Sequence, residues 1–209
     1  MPKRLGFVVD GKKVDQWSID PDIETDSCFD TKAGVIRTFS DRKAFVNWAK
    51  DAGIAENIQD TIKKLEEIKA RHEAIRISDR QQAALESQQT TEFATKQRAV
   101  DALLRKQRVS PENYGGLLKL HKAGKLGSMI VYDPPGCVGN WAYFPPGLYP
   151  KLSWFGWNDR ISSLYNLGLL ASLHQHTWFR GHRLWVTIFA GYKDLGWWNN
   201  RISSMVFYS

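Results

Sequence analysis

The sequence contains one polar hexapeptide twice, NDRISS at 158–163 and NNRISS at 199–204, and a tryptophan, Trp157 or Trp198, precedes each copy. Equivalent positions in the two copies are 41 residues apart. An internal repeat of this length is typical of one supersecondary unit that has been copied within a chain. The C-terminal part of the chain is therefore restricted to folds built from two similar units.

A second set of landmarks lies ahead of each corner. Tyr132, Cys137 and Gly139 in the first unit match His174, Phe179 and Gly181 in the second, with an offset of 42 residues. A glycine at such a position allows the tight backbone of a hairpin. Each unit is thus predicted to be a hairpin followed by strands and the polar corner.

Aromatic residues are concentrated in the same region. Residues 127–209 hold seven of the nine Trp and six of the seven Tyr, interrupted by Gly and Pro. This composition favours short, packed strands. A single unit has an apolar sheet face that it cannot bury alone, so two units packed face to face are the expected minimum.

With these features, residues 127–209 resemble the βγ-crystallin family. Its microbial, calcium-binding members carry a corner of pattern N/D-N/D-x-x-S/T-S in each of two Greek-key motifs, and both corners here fit it. The resemblance implies an all-β Greek-key sandwich for this region. Together with the helices predicted in the first 126 residues, this gives an α+β fold overall. It also implies a structural part for Ser163 and Ser204, which tie the corners to the hairpins, and for the hairpin glycines Gly139 and Gly181.

The same resemblance implies a calcium site shared by the two corners. The implied ligands are the side chains of Asp159 and Asn200, the hydroxyls of Ser162 and Ser203, and the main-chain carbonyls of Arg160 and Arg201, while Asn158 and Asn199 shape the turns or help to coordinate. Calcium takes six to eight oxygen ligands, and its affinity follows their charge. Because the corners contain one carboxylate, we expect weak binding, with Kd roughly 10⁻⁵ to 10⁻³ M. The alternative is a metal-free structural corner, since Asn, Asp and Ser favour turns in any case.

The first 126 residues have a different composition. Residues 1–53 are predicted to form a small α+β region, with a hairpin turn at Asp10-Gly11, a strand and a short helix. Residues 54–110 lack interior Gly and Pro and carry two apolar stripes. They predict either a helical hairpin, bent near Ser78, or a continuous coiled coil. Residues 111–126 are predicted to be a short helix, capped by Ser110, and a linker. The stripes comprise Ile58, Ile62, Leu65, Ile68 and Ile75, followed by Leu85, Phe93, Val100 and Leu104.

Charge and cysteine content exclude several classes of protein. The net charge of +7 comes without a nucleic-acid-binding motif, so nucleic acid is an unlikely partner. Two distant cysteines do not form a disulfide framework. Since no signal peptide or membrane span is recognisable, we expect a cytoplasmic protein, with non-standard secretion still open.

Residues 54–110 are the candidate contact for a homo-oligomer or a protein partner.

No catalytic motif is recognisable, and the sequence therefore predicts a non-enzymatic protein. The closely spaced His174, His176 and His182 suggest packing or surface residues more than a zinc site. The predicted function is calcium binding that stabilises a Greek-key sandwich, with the helical region serving assembly or partner contact. The alternative is an inhibitor, toxin or carbohydrate-binding module of the same fold, acting on a protein or glycan.

Overall fold

The structure is a computed structural model that describes residues 6–14, 24–30, 33, 35–54, 58–74 and 79–208. The helices in these residues are α1 Arg42–Asp51, α2 Ile58–Ala74, α3 Asp79–Gln107 and α4 Tyr114–Lys122. The strands are β1 Gly6–Val9, β2 Lys12–Val14, β3 Asp26–Asp30, β4 Val35–Phe39, β5 Met129–Tyr132, β6 Trp141–Phe144, β7 Leu148–Tyr149, β8 Ser163–Asn166, β9 Leu170–His174, β10 Arg183–Val186, β11 Ala190–Tyr192 and β12 Ser204–Tyr208.

The strands from β5 to β12 form two interlocked Greek keys. The first unit supplies β5 to β8 and the second supplies β9 to β12. One sheet has the order β11-β8-β5-β6, and the other contains β10-β9-β12-β7. Each sheet thus takes three strands from one unit and one strand from its copy. This confirms the prediction of an α+β chain with a two-motif Greek-key sandwich at its C-terminal end.

The second sheet continues into the N-terminal part of the chain. β3 pairs in parallel with β10, and β4, β1 and β2 follow, so that this sheet contains eight of the described strands. The unpaired N–H and C=O groups of an edge strand need a partner or a cover. β3 provides one for β10. The sheet therefore crosses the domain boundaries proposed from the sequence, which remain a prediction about chain organisation.

Side-chain alternation gives the sandwich two outer apolar faces as well as an inner core. On β10, Leu184 and Val186 point into the inner core, while Trp185 belongs to an outer cluster. On β5, Met129 belongs to the inner core and Ile130 to a second outer cluster. Successive residues of a strand point to opposite faces, so both sheets have an apolar outer side that needs covering.

Helices cover both outer faces. The stripe of α2, including Ile58 and Leu65, packs with α1 in the cluster around Trp185. The stripe of α3 packs elsewhere: Phe93 contacts the edge of the inner core, and Val100 and Leu104 pack with α4 in the other outer cluster. The described stripe residues that belong to a hydrophobic cluster therefore pack on the sandwich. Ile75 and the bend at Ser78 lie outside the described residues.

Local signals account for several N-terminal features. Asp10 and Gly11 form the turn between β1 and β2, with φ of 45° and 82°. Asp41 caps α1 by accepting a hydrogen bond from Lys43 N. The predicted cap of α4 was wrong: Asn113, not Ser110, accepts from Gly116 N. Residues 110–113 form a separate turn, and the helix starts after it.

A buried ion pair fixes the N-terminal segment to the sandwich. Arg183 on β10 has 1% of its surface exposed, and its Nε lies 3.0 Å from Oδ1 of Asp26 on β3. Trp185 Nε1 donates to the same carboxylate at 2.9 Å, and Arg183 Nη1 donates to Glu66 of α2 at 3.0 Å. A strand and a helix from the N-terminal part thus meet at one guanidinium.

Candidate functional site

The polar corners occupy equivalent turns in the two units. Each follows a 3₁₀ turn, at Leu152–Phe155 or Gly196–Trp198, and ends where the last strand of its unit begins. Asp159 and Asn200, the second residue of each corner, have φ of 51° and 57°. Asp and Asn tolerate this left-handed conformation better than other non-glycine residues. The residue types of the repeat therefore suit its backbone.

The structure brings the two corners into direct contact through crossed side-chain hydrogen bonds. Ser162 Oγ of the first corner donates to Asn200 Oδ1 of the second at 3.0 Å. Ser203 Oγ of the second corner donates to Asp159 Oδ1 of the first at 3.1 Å. The serine of each corner thus lies beside the oxygen ligand of the other.

The backbone repeats the same crossing. Asp159 N donates to Ile202 O at 3.0 Å, and Asn200 N donates to Ile161 O at 3.1 Å. Both isoleucines are fully buried. The core beneath the corners and these main-chain hydrogen bonds therefore set the relative position of the corners, independently of the side-chain oxygens.

Ser163 and Ser204 join each corner to its hairpin. Each buried hydroxyl donates to a hairpin carbonyl and accepts from a hairpin N–H. The partners are Pro134 O (2.7 Å) and Cys137 N (2.9 Å) for Ser163, and His176 O (2.6 Å) and Phe179 N (3.0 Å) for Ser204. The hairpins carry Gly139 and Gly181 at φ of 78° and 77°. At Gly181, an added Cβ would lie 2.7 Å from the ring of His176.

The first asparagine of each corner has a different environment in the two units. Asn158 Nδ2 donates to Asp159 Oδ2 at 2.7 Å, within its own corner. Asn199 Nδ2 donates to Asp194 Oδ1 at 2.9 Å, and Asn199 Oδ1 accepts from Leu195 N. The second asparagine is therefore engaged with the preceding turn, whereas the amide of Asn158 donates to the candidate ligand Asp159.

Two arginines lie beside the candidate oxygens, and both have other partners. Arg160 Nη2 pairs with Asp133 Oδ2 at 2.7 Å. The guanidinium carbon of Arg160 lies over the ring of Trp157, 5.2 Å from the ring centroid. The guanidinium of Arg201 stacks over Trp197 at 4.6 Å. These contacts fix both side chains, while the main-chain carbonyl oxygens of Arg160 and Arg201 accept no hydrogen bond from any described residue.

The corners border a cleft that the repeat alone did not reveal. It is lined by corner residues, among them Asp159, Asn200 and Ser203. Two residues from outside both corners, Gln175 and His176, also line it. His176 is the exposed residue whose carbonyl accepts from Ser204. In the sequence, the sign that His176 lies near the corner was its position two residues after His174, in the hairpin of the second unit.

The three histidines do not form a metal cluster, and within the described residues no group of three or more His, Cys, Asp or Glu does so. His174 is fully buried, with Nε2 2.8 Å from Ser172 Oγ, and burial holds its pKa well below 6.5, with Arg183 and Lys69 acting in the same direction. His182 Nδ1 lies 3.0 Å from Thr25 Oγ1.

Comparison with solved structures gives similarities over about two fifths of the chain. The N-terminal domain of protein S is 31% identical, with 40% of this chain and 97% of that chain covered and a TM-score of 0.37. A βγ-crystallin from Ciona intestinalis is 20% identical (39% and 100% covered, TM-score 0.37). A βγ-crystallin domain from Flavobacterium johnsoniae is 27% identical (39% and 94% covered, TM-score 0.35).

No protein-family model matches the chain, and no curated protein matches it in sequence. The twin hairpins, the twin corners and the exchanged strands β7 and β11 occur together in one sandwich. The C-terminal part of the chain, from about residue 127 onward, is therefore a two-motif Greek-key domain, as expected from its resemblance to the βγ-crystallins.

Proposed function

We propose that this protein is a non-enzymatic, calcium-binding βγ-crystallin-like protein in which Ca²⁺ at the two corners stabilises the Greek-key sandwich. The observation that carries the proposal is the crossed pairing of Ser162 with Asn200 and of Ser203 with Asp159. It places oxygen donors from both units side by side, as a shared site requires.

The donor set suits calcium. A carboxylate from Asp159, an amide oxygen from Asn200 and two hydroxyls are hard oxygen donors, which is the chemistry that calcium prefers. The hydroxyls of Ser162 and Ser203 would turn their lone pairs to the ion, and the carbonyls of Arg160 and Arg201 would complete the set. A bound Ca²⁺ would supply positive charge that links ligands of the two units.

Affinity is proposed to be low for an electrostatic reason. Asp159 is the one carboxylate in the two hexapeptides. Oxygen sites with few charged ligands bind calcium weakly, with Kd roughly 10⁻⁵ to 10⁻³ M expected here. The pairing of Arg160 with Asp133 reduces the repulsion that an unpaired guanidinium would add.

A non-enzymatic function is supported by the burial of the nucleophilic and basic groups in this region. Ser163 and Ser204 are fully buried and hold the hairpins. Cys137 is also fully buried, and burial raises the pKa of its thiol, which keeps the reactive thiolate scarce. His174 has no exposed surface from which to activate a nucleophile for a substrate.

For residues 54–110 we propose that the main contact is the sandwich of the same chain. The apolar residues of α2 and α3 that would attract a partner already pack on it. Self-association through this region would have to use the polar surfaces of the helices, and it is the weaker proposal.

The test is thermal unfolding of the full chain in calcium and in chelator. A ligand that binds only the folded state stabilises it by about 2.7 kcal/mol at a concentration one hundred times its Kd. We expect a higher midpoint in calcium for the native protein and little difference for Asp159→Ala or Ser203→Ala. Glu67→Ala, which removes an exposed carboxylate from α2, should keep the calcium effect. Equal midpoints for the native protein at millimolar calcium would reject the proposal.

A further inference from the structure

We propose that the C-terminal turn of α4 and the loop between β10 and β11 together form a docking surface for an anionic lipid membrane. The basic part of this surface is Lys119, Lys122 and Lys125. The apolar part is the loop tip, Ile188 and Phe189. This function is independent of calcium binding at the corners.

Positive charge is concentrated around α4. Residues 96–125 contain eight Lys or Arg and two acidic residues, a net charge of +6, whereas the whole chain carries +7. Lys119, Lys122 and Lys125 are all exposed, and none of them forms an ion pair with a described residue. The apolar face of α4, with Leu117 and Leu120, packs on the sandwich, so the helix presents its lysines outward. Such a cluster attracts an anionic lipid surface.

The neighbouring loop exposes two large apolar side chains in succession. Ile188 is 47% exposed and Phe189 is 50% exposed. Phe189 has φ of 52°, a conformation that is unfavourable for a bulky residue. Exposed adjacent apolar side chains on an otherwise polar rim are a feature of surfaces that meet a protein or a membrane.

The base of this loop is fixed, so the tip is held outward. Asn166 Nδ2 donates to Thr187 O at 2.8 Å and to Val186 O at 3.3 Å. Thr187 N donates to Tyr192 Oη at 3.1 Å. An apolar tip on a rigid base loses little conformational freedom when it enters a lipid surface.

A ring contact joins the basic and apolar parts. The ring of Phe189 packs edge-on against His121 of α4, with centroids 5.5 Å apart. His121 Nδ1 lies 2.8 Å from Leu126 O, which fixes the ring at the end of the helix. Because His121 lies between Lys119 and Lys122 in the last turn of α4, this contact places the loop tip next to the end of the helix that carries these lysines.

This combination favours a lipid surface over nucleic acid. Phosphates would satisfy the lysines, but a branched aliphatic side chain such as Ile188 has no stacking surface for a base. At a membrane interface, lysines remain at the headgroups while apolar side chains enter the acyl boundary. Among the described residues no helix is long and apolar enough to span a bilayer, so the proposed contact is peripheral.

The experiment is co-sedimentation of the full chain, in chelator, with vesicles of phosphatidylcholine alone or of equal parts phosphatidylcholine and phosphatidylserine. We expect binding to the mixed vesicles only, weakened by salt. Because each lysine near the surface contributes about a fivefold factor in partitioning, Lys119→Gln with Lys122→Gln should lower binding about thirtyfold. Phe189→Asn, which suits the left-handed backbone, should lower binding about tenfold through lost apolar contact.

Matched controls change the same chemistry elsewhere. Lys63→Gln with Lys64→Gln removes two exposed charges from α2, which covers the opposite face, and Leu148→Thr shortens an exposed apolar side chain on β7. Both should bind like the native protein. No binding in chelator, or equal losses in the control variants, would overturn the proposal. So would binding to duplex DNA in place of vesicles that survives Phe189→Asn, because it would identify a phosphate-binding surface.

Discussion

At the scale of single residues, the candidate site depends on two side chains in a left-handed backbone. Asp159 and Asn200 have nearly the same φ, and each accepts a hydroxyl hydrogen bond from the other corner. They differ in charge and in the second terminal atom of the side chain, which is an acceptor oxygen in Asp159 and a donor nitrogen in Asn200. This difference makes the two halves of the site chemically unequal, although the backbone around them is repeated.

The charge difference predicts the effect of Asn200→Asp. Aspartate tolerates the same backbone, and its carboxylate can accept the bond from Ser162. Since ligand charge tunes the affinity of oxygen sites, we expect the Kd for calcium to fall by about tenfold. Calorimetric titration measures it.

Asn199→Asp is the matched control for this change. Its carboxylate would face Asp194, to which the Asn199 amide now donates, so the folded state should lose stability without a gain in affinity. Equal gains in both variants would contradict the assignment of Asn200 as the ligand position.

At the scale of elements, the sequence predicted what local patterns encode. The hairpin at Asp10-Gly11, the short helix that follows it in residues 1–53 and the helical stripes of α2 and α3 are present. The stripes did not reveal what they pack against, because a row of apolar residues attracts any apolar surface. The surface that they pack against is the outer side of the sandwich. In a short strand such as β10, apolar residues point to both faces of the sheet, so composition does not show that the outer face is apolar as well.

The pairing of β3 with β10 could not be predicted from the sequence. β3 is five residues long, begins and ends with aspartate, and pairs with a strand 157 residues further along the chain. Neither composition nor periodicity encodes a parallel pairing over that distance. Similarly, the corners could be predicted as a pair from the repeat, whereas the contribution of Asp194 and His176 to their surroundings depends on how the hairpins fold.

The buried ion pair predicts the consequence of detaching β3. Asp26→Ala leaves the guanidinium of Arg183 buried without its main partner, a change that costs about 3–5 kcal/mol. Glu66 retains one contact with Arg183, so the lower end of this range is expected. Denaturant unfolding measures the loss.

Glu24→Ala is the control for that variant. Glu24 is 40% exposed and lies 3.7 Å from the same guanidinium. Since the carboxylate of Glu24 is partly exposed to solvent and lies beyond hydrogen-bond distance of Arg183, its removal should cost about 1 kcal/mol or less. If Asp26→Ala cost no more than Glu24→Ala, the ion pair would not be what fastens the N-terminal segment.

At the scale of the whole molecule, the sandwich lies between two helical layers. α1 and α2 cover the outer face of the large sheet, and α4 with the end of α3 covers the outer face of the small one. Residues such as Trp185 and Ile130, which are fully buried, would be exposed in the Greek-key region alone. The stability of this domain is therefore a property of the full chain, and measurements on it belong there.

Burial of His174 in this layered structure predicts an acid-sensitive fold. Burial lowers its pKa well below 6.5, so the ring is neutral in the folded protein, while the unfolded chain binds a proton below about pH 6.5. The free energy of unfolding should therefore fall as the pH drops from 6.5, by up to about 1.4 kcal/mol per pH unit, until the folded pKa is reached. Urea unfolding between pH 7 and about pH 5 measures this slope.

His182 contributes in the same direction, since burial and the nearby His176 lower its pKa against the opposing effect of Glu24. Glu66 acts in a more acidic window. Although burial opposes it, Lys69, Arg183 and Arg42 lower the pKa of Glu66 from 4.5, so its stabilising contribution is lost below that pH. His174→Gln should flatten the slope between pH 6.5 and 5, and an unchanged slope would contradict the proposed origin.

The most direct test of the shared site is calorimetric titration of the full chain with calcium, beside Ser162→Ala and Ser203→Ala. Each serine belongs to one corner but contacts the oxygen ligand of the other. If the two corners share one site, the native chain binds calcium and each single substitution weakens binding at that site. A native chain that takes up no calcium at millimolar concentration, or variants that bind it as the native chain does, would rule out a shared calcium site.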